Sequence, residues 1–281
     1  MARRRLADER MSRLAVWARW CAFFSLAATV LAILIVRSGM LEIVPALATF
    51  AGALAFAVVG IVLAFGAFVA IWKDGIDGIG HALSAIAIGA ALIAYPAYLG
   101  VRAYRLPAIN DITTDPIDPP RFDIIARLRP RGTVEYAGLY SADLQRGAYP
   151  DVQPLSVSAT PQIAYEEAIK VIAKRKWRVV LERPPQAGRP NGQIEAVART
   201  AIMGFRDDVA IRVRPTADGS VIDIRSASRY GRHDLGANAA RIRSLLADID
   251  DAVDLRSDDK RERKPPAAKP APAAKPQPAK R

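Results

Sequence analysis

Apolar residues crowd the first third of the chain, and charged residues interrupt them regularly after that. Three early segments are nearly unbroken. Leu14 to Val36 is interrupted only by Arg19, and Ile43 to Trp72 and Ile79 to Val101 hold no Asp, Glu, Lys or Arg. A bilayer core of roughly 30 Å takes about 20 helical residues at about 1.5 Å each. The pattern therefore predicts membrane-spanning helices over about 14–36, 43–72 and 79–101. The first apolar stretch exceeds that of a cleavable leader, and no clear small-x-small pattern leads from it into a soluble segment, so it reads as a retained helix. Small residues four apart, at Ala48/Gly52, Gly60/Ala64 and Ala85/Gly89, favour close helix packing. No ionisable group lies mid-span, so the spans read as an anchor rather than an ion pathway.

Beyond the spans, residues 102–159 read as an ordered arm rich in Pro and Asp. Pro107, Pro116, Pro119 and Pro120 exclude a helix over 106–120 and favour turns or short strands. A compact unit is predicted over 160–257. Thr160 can cap a helix with Pro161 in its first turn, and Ala164, Tyr165, Ala168, Ile169 and Ile172 repeat at helical spacing. Lys174-Arg-Lys176 suits the end of that helix. Four strands follow, over 177–182, 193–200, 208–215 and 221–228, with the Asp218-Gly219 hairpin signal before the last. Asp234 can cap a final helix over about 235–255. The fold class expected is a multi-span α-helical membrane anchor plus a small α+β domain: helix, four-stranded antiparallel meander, helix, as a two-layer sandwich. Residues 258–281, made of Lys, Pro and Ala, read as a disordered basic tail.

Charge sharpens this picture. Of the net +12, residues 1–20 carry +4 and 260–281 carry +7, while 21–101 carry −1 and 102–259 carry +2. The nearly neutral domain argues against nucleic acid as a partner. Arg3, Arg4, Arg5, Arg10 and Arg13 precede the first span and place the basic N-terminus, residues 1–13, in the cytoplasm. Three spans then place the domain and tail outside the inner membrane. Trp17, Trp20 and Trp72 would mark the inner interface, and Tyr95, Tyr98 and Tyr104 the outer one. One cysteine excludes an intramolecular disulfide framework, and two distant histidines argue against a His-rich metal site. No cofactor or metal site is expected.

Several strings carry a resemblance: Asn110-Asp-Ile-Thr-Thr-Asp115, Ala148-Tyr-Pro-Asp151, Ile194-Glu-Ala-Val-Ala-Arg-Thr200, Gly204 to Arg212, Ile222 to Arg229 and Gly231 to Ile242. In this order they resemble the domain-of-unknown-function family 1499 (DUF1499), in its version with an N-terminal membrane region. The resemblance spans roughly residues 107–250. It implies a cell-envelope location and these domain bounds. It implies no activity, ligand or catalytic residue.

The densest polar chemistry lies in Asp207, Asp208, Arg225, Ser226, Arg229, Arg232 and Asp234, with Asn238 and Arg241 on the first turns of the last helix. Asp234, Asn238 and Arg241 fall four and three apart, so they share a helix face. Arginine forks near a helix N-terminus suit a carboxylate or phosphate. Two readings stand: a site for an anionic envelope ligand or protein partner, and an Arg–Asp network that ties strands to the helix cap. A hydrolase would need His233 as base with Asp234 as orienter and Ser226 or Ser228 as nucleophile. Adjacent His and Asp do not readily form that relay, and no Gly-x-Ser-x-Gly elbow is present. The leading expectation is a non-enzymatic binding or scaffolding domain held on the lipid bilayer. The alternatives are an envelope enzyme and a cytoplasmic-facing adaptor with a basic tail.

Overall fold

The computed structural model describes residues 10–38, 43–129 and 139–262. The N-terminal bundle consists of α1 (Arg13–Ser38), α2 (Ile43–Asp74) and α3 (Ile79–Arg105), each long and apolar enough to cross a membrane. Its interior is lined by small residues, including Ala18 and Ala22 of α1, Ala57 and Ala64 of α2, and Ala82 and Ala85 of α3. A Cβ on Gly89 would stand 2.8 Å from Ile61 and 3.2 Å from the Ala57 carbonyl oxygen, so this crossing depends on a missing side chain. Gly60/Ala64 and Ala85/Gly89 lie in the interface. Ala48/Gly52 does not, because both residues lie on an exposed face of α2. Large apolar side chains such as Trp20, Phe24, Leu34, Val62 and Phe65 point outward. That inversion suits a lipid surround, where burying Leu or Phe between helices brings no hydrophobic gain.

The remaining elements are β1 (Asp111–Thr113), α4 (Ile124–Leu128), α5 (Leu139–Ala148), β2 (Leu155–Val157), α6 (Pro161–Lys174), β3 (Arg178–Arg183), β4 (Gly192–Arg199), β5 (Arg206–Thr216), β6 (Gly219–Ser228) and α7 (Ala237–Glu262). The meander expected from alternation is present as β3 to β6, all antiparallel. α6 and α7 cover one sheet face, with Ile172, Ile194, Ile211, Ile224, Leu245 and Ile249 fully buried between them. Asp234 caps α7: its two carboxylate oxygens accept the Gly236 and Asn238 N–H groups, both at 2.8 Å. α7 runs past the expected stop near Leu255. Residues 1–9 and 263–281, and with them most of the expected tail, lie outside the described residues.

The arm differs from expectation in one respect that matters for function. It belongs to the same folded unit as the meander. β1 and β2 both pair with the free edge of β6, through Asp111↔Ala227 and Leu155↔Ile222. Ile109, Ile112, Tyr149 and Val152 enter the same core as the helices. A boundary at residue 160 would cut that core. The physical reason is edge protection: an open β6 edge would leave a row of backbone donors and acceptors unpaired. Gly219, at φ +154°, is where β2 crosses closest. A Cβ there would overlap the Val157 carbonyl oxygen and stand 2.9 Å from Ser158 Cα. Gly219→Ala is therefore expected to cost about 2–4 kcal/mol, read as a lower melting temperature of the full chain in detergent.

The domain is seated on the ends of two membrane helices. His233 Nε2 lies 3.1 Å from the Ala103 and Leu106 carbonyl oxygens at the end of α3. Arg37, in the last turn of α1, donates to the Ala201 and Ile202 carbonyls at 2.6 and 2.9 Å. Leu106 packs into the domain core.

Candidate functional site

Asp207 and Asp208 are consecutive in β5, so their side chains leave on opposite faces of the sheet. The residues expected to form one constellation are divided by this alternation into two. On the helix side, Arg241 bridges Asp207, Ser226 and Asn238. Ser226 Oγ donates to Asn238 Oδ1 at 2.8 Å, and Asn238 Nδ2 donates to the Asn110 carbonyl at 2.9 Å and to Ser228 Oγ at 3.0 Å. Asn238 and Arg241 meet on the first turns of α7, and Asp234 joins them from before the helix as its cap. Burial pushes the Asp207 carboxyl above its ordinary range, against the pull of Arg241. Burial does the same to Asp234, against the two backbone N–H bonds that it caps.

On the opposite face, Asp208 is gripped by Arg229 at 2.8 Å and by Arg129 at 2.6 Å. Arg225 pairs with Asp111 of β1 at 2.6 Å. Phe122 lies between two guanidinium groups, 4.7 Å from that of Arg225 and 5.0 Å from that of Arg129. Further along this face, Asp223 holds Arg212 and Arg214 at 3.1 and 2.8 Å. Glu195 of β4 accepts the N–H groups of Asp123, Ile124 and Ile125 at the start of α4. Arg232 is exposed in the turn before α7.

Within these clusters, Arg129 Nη2 and Asp223 Oδ1 are buried without a hydrogen-bond partner among the described residues. His233 is bonded at both ring nitrogens. Its Nδ1 accepts the Leu235 N–H at 3.0 Å, which leaves Nε2 to donate to the α3 carbonyls.

The third feature is a cleft of about 620 Å³ on the outer sheet face. It lies at the end of the sheet where β4 stops and β5 starts. Arg175, Lys176, Arg178, Arg199, Arg206 and Arg229 line it, and among the described residues no acidic side chain does. Arg199 and Arg206 face each other directly across the β4–β5 pair. Like charges so placed repel. Among the described residues, neither has a carboxylate within ion-pair distance, whereas Arg229 and Arg175 of the same lining are paired with Asp208 and Asp248. Trp177, Val180 and Leu128 supply apolar wall. Of the residues singled out from the sequence, Arg229 lines this cleft. The other basic groups were missed, although β4 alternation already turns Arg199 away from Ile194, Ala196 and Ala198. Among the described residues, no group of three or more His, Cys, Asp or Glu side chains could hold a metal ion.

No curated protein matches the chain. The family described as "Protein of unknown function (DUF1499)" matches residues 111–249, from the first residue of β1 into α7. The unit that carries the two ion-pair clusters and the basic cleft, set on three membrane-capable helices, is a DUF1499 domain.

Proposed function

We propose that this protein is a membrane-anchored, non-enzymatic binding protein that holds its DUF1499 domain on the extracytoplasmic side of the inner membrane. There the domain binds an anionic ligand in the cleft lined by Arg178, Arg199, Arg206 and Arg229. The observation that carries this reading is the Arg199–Arg206 pair: two arginines opposite each other in the β4–β5 register, both lining a cleft to which, among the described residues, no acidic side chain contributes. An anion bound between the two would offset the repulsion of like charges. The Asp207 and Asp208 clusters, including Arg225, Ser226, Asn238 and Arg241, serve as the frame that fixes the sheet, the arm and α7 around that cleft. The commitment of both His233 nitrogens favours binding over hydrolysis.

Sidedness rests on charge and on the seating of the domain. The arginines before α1 favour a cytoplasmic N-terminus. The domain contacts the last turn of α1 and the end of α3, which lie away from that N-terminus. Fusions test it. Alkaline phosphatase placed after Arg105 and after Arg281 should be active at both sites, and a fluorescent protein that folds only in the cytoplasm should stay dark. Fluorescence without phosphatase activity would reverse the orientation and favour the cytoplasmic adaptor with a basic tail.

A further inference from the structure

The basic cleft does not lie at an arbitrary place on the domain. Arg199 and Arg206 flank the loop 200–205, and this loop touches the end of α1. Arg37 binds the carbonyls of Ala201 and Ile202, and Ile202 is 40% exposed at the loop tip. A span that ends at Ser38 brings its last turn to the bilayer surface, so the cleft opens within a few residues of the lipid headgroups. The wall has a matching composition. Guanidinium groups line one part, while Trp177, Val180, Val197 and Leu128 provide an apolar part. Guanidinium forks suit phosphate oxygens, and Trp is at home where one end of a ligand is wet and the other apolar. An anionic membrane surface also attracts basic side chains held at this height.

We infer that the cleft binds the phosphate-bearing headgroup of an anionic phospholipid drawn from the adjoining leaflet, with Arg199 and Arg206 as its principal contacts. This deepens the proposed anion-binding function and rests on it. The same chemistry would also accept free phosphate, so the test must separate the two sources.

The full chain is purified in dodecyl maltoside and examined by native mass spectrometry with phosphatidylglycerol, with phosphatidylcholine, and with inorganic phosphate. The wild type should retain one phosphatidylglycerol in preference to phosphatidylcholine. The double variant Arg199→Gln/Arg206→Gln should lose that preference by about tenfold or more, as expected when charge-assisted hydrogen bonds are removed. Without lipid, the double variant should melt no lower than wild type, because the opposed like charges are gone. Should it melt lower, Arg178→Gln provides the second reading of the same cleft and should weaken retention in the same direction. Arg105→Gln, at the end of α3, controls for general attraction to surface charge. If it lowers retention as much as the double variant does, the cleft is not the site. If inorganic phosphate binds in an Arg199-dependent way but phosphatidylglycerol shows no preference, the lipid inference fails and the anion-binding function stands. If no probe responds to Arg199, Arg206 or Arg178, both are overturned.

Discussion

Asp208→Ala is expected to destabilise the domain by about 3–5 kcal/mol, the range for removing one partner from a buried ion pair. The Asp208 side chain is 0% exposed and sits between Arg229 and Arg129, themselves 7% and 11% exposed. Removing the carboxylate leaves two guanidinium groups shielded from water. Arg129 Nη2 already lacks a hydrogen-bond partner among the described residues, so little is left to satisfy that side chain. In a domain of this size the loss should lower the melting temperature by roughly 10 °C or more. The measurement is thermal unfolding of the full chain in detergent, followed by circular dichroism. A triple variant identifies the cause. Asp208→Leu with Arg129→Met and Arg229→Met removes all three charges and should recover most of the loss, since a well-packed apolar replacement of a buried ionic group is often neutral. If the triple variant is as unstable as Asp208→Ala, the defect is lost volume or lost geometry rather than orphaned charge.

Arg229 also lines the basic cleft, so the two systems meet in one side chain. Asp208 neutralises Arg229 from within the sheet, while Arg199 and Arg206 have no such partner among the described residues. Under the proposed function, this difference separates the frame from the binding surface. A guanidinium with a buried carboxylate stiffens the fold, and one without a partner remains available to a ligand.

How much of this is legible in the sequence depends on the range of each interaction. The three spans follow from local composition, and the structure extends each by a few residues. The meander follows from alternation and from the Asp218-Gly219 turn, and the start of α7 follows from Asp234 as a cap. Each of these rests on residues that are neighbours in the chain. The pairing of the arm with β6 joins positions more than 60 residues apart, such as Leu155 with Ile222 and Asp111 with Ala227. No local pattern encodes which edge a Pro-rich segment will cover. The candidate site shows the same limit. Helical spacing correctly grouped Asp234, Asn238 and Arg241. The grouping of Asp207 with Asp208 failed, because two consecutive strand residues cannot share a face. Arg199 and Arg206 are separated by a six-residue loop, and their opposition appears only once the β4–β5 register is known. Lys174-Arg-Lys176 was legible as a helix end. Lys176, at φ +56°, is where the chain turns away from α6 and brings Trp177 and Arg178 to the cleft.

Glu195→Ala is expected to cost about 3 kcal/mol, combining the loss of a helix cap with the exposure of buried donors to no acceptor. Glu195 is 0% exposed in β4, yet it acts on another element. Its Oε1 accepts the Asp123 N–H at 2.6 Å, and its Oε2 accepts those of Ile124 and Ile125 at 3.1 and 2.8 Å. A carboxylate at the N-terminus of α4 thus replaces the cap that Asp123 does not supply, since the Asp123 side chain turns to Arg183 instead. A five-residue helix has little stability of its own. Without Glu195, α4 should loosen before the sheet does, and hydrogen exchange over 123–128 should rise while exchange in β5 and β6 stays slow. Glu195→Gln keeps one acceptor but turns an amide donor toward backbone N–H groups, so it should recover only part of the protection. The consequence reaches the cleft, because α4 carries Leu128 into its wall and is followed directly by Arg129, which pairs with Asp208. Glu195→Ala should therefore weaken anion retention although it touches no ligand. If exchange over 123–128 were unchanged while the melting temperature fell, Glu195 would act through the sheet, and α4 would not depend on its cap.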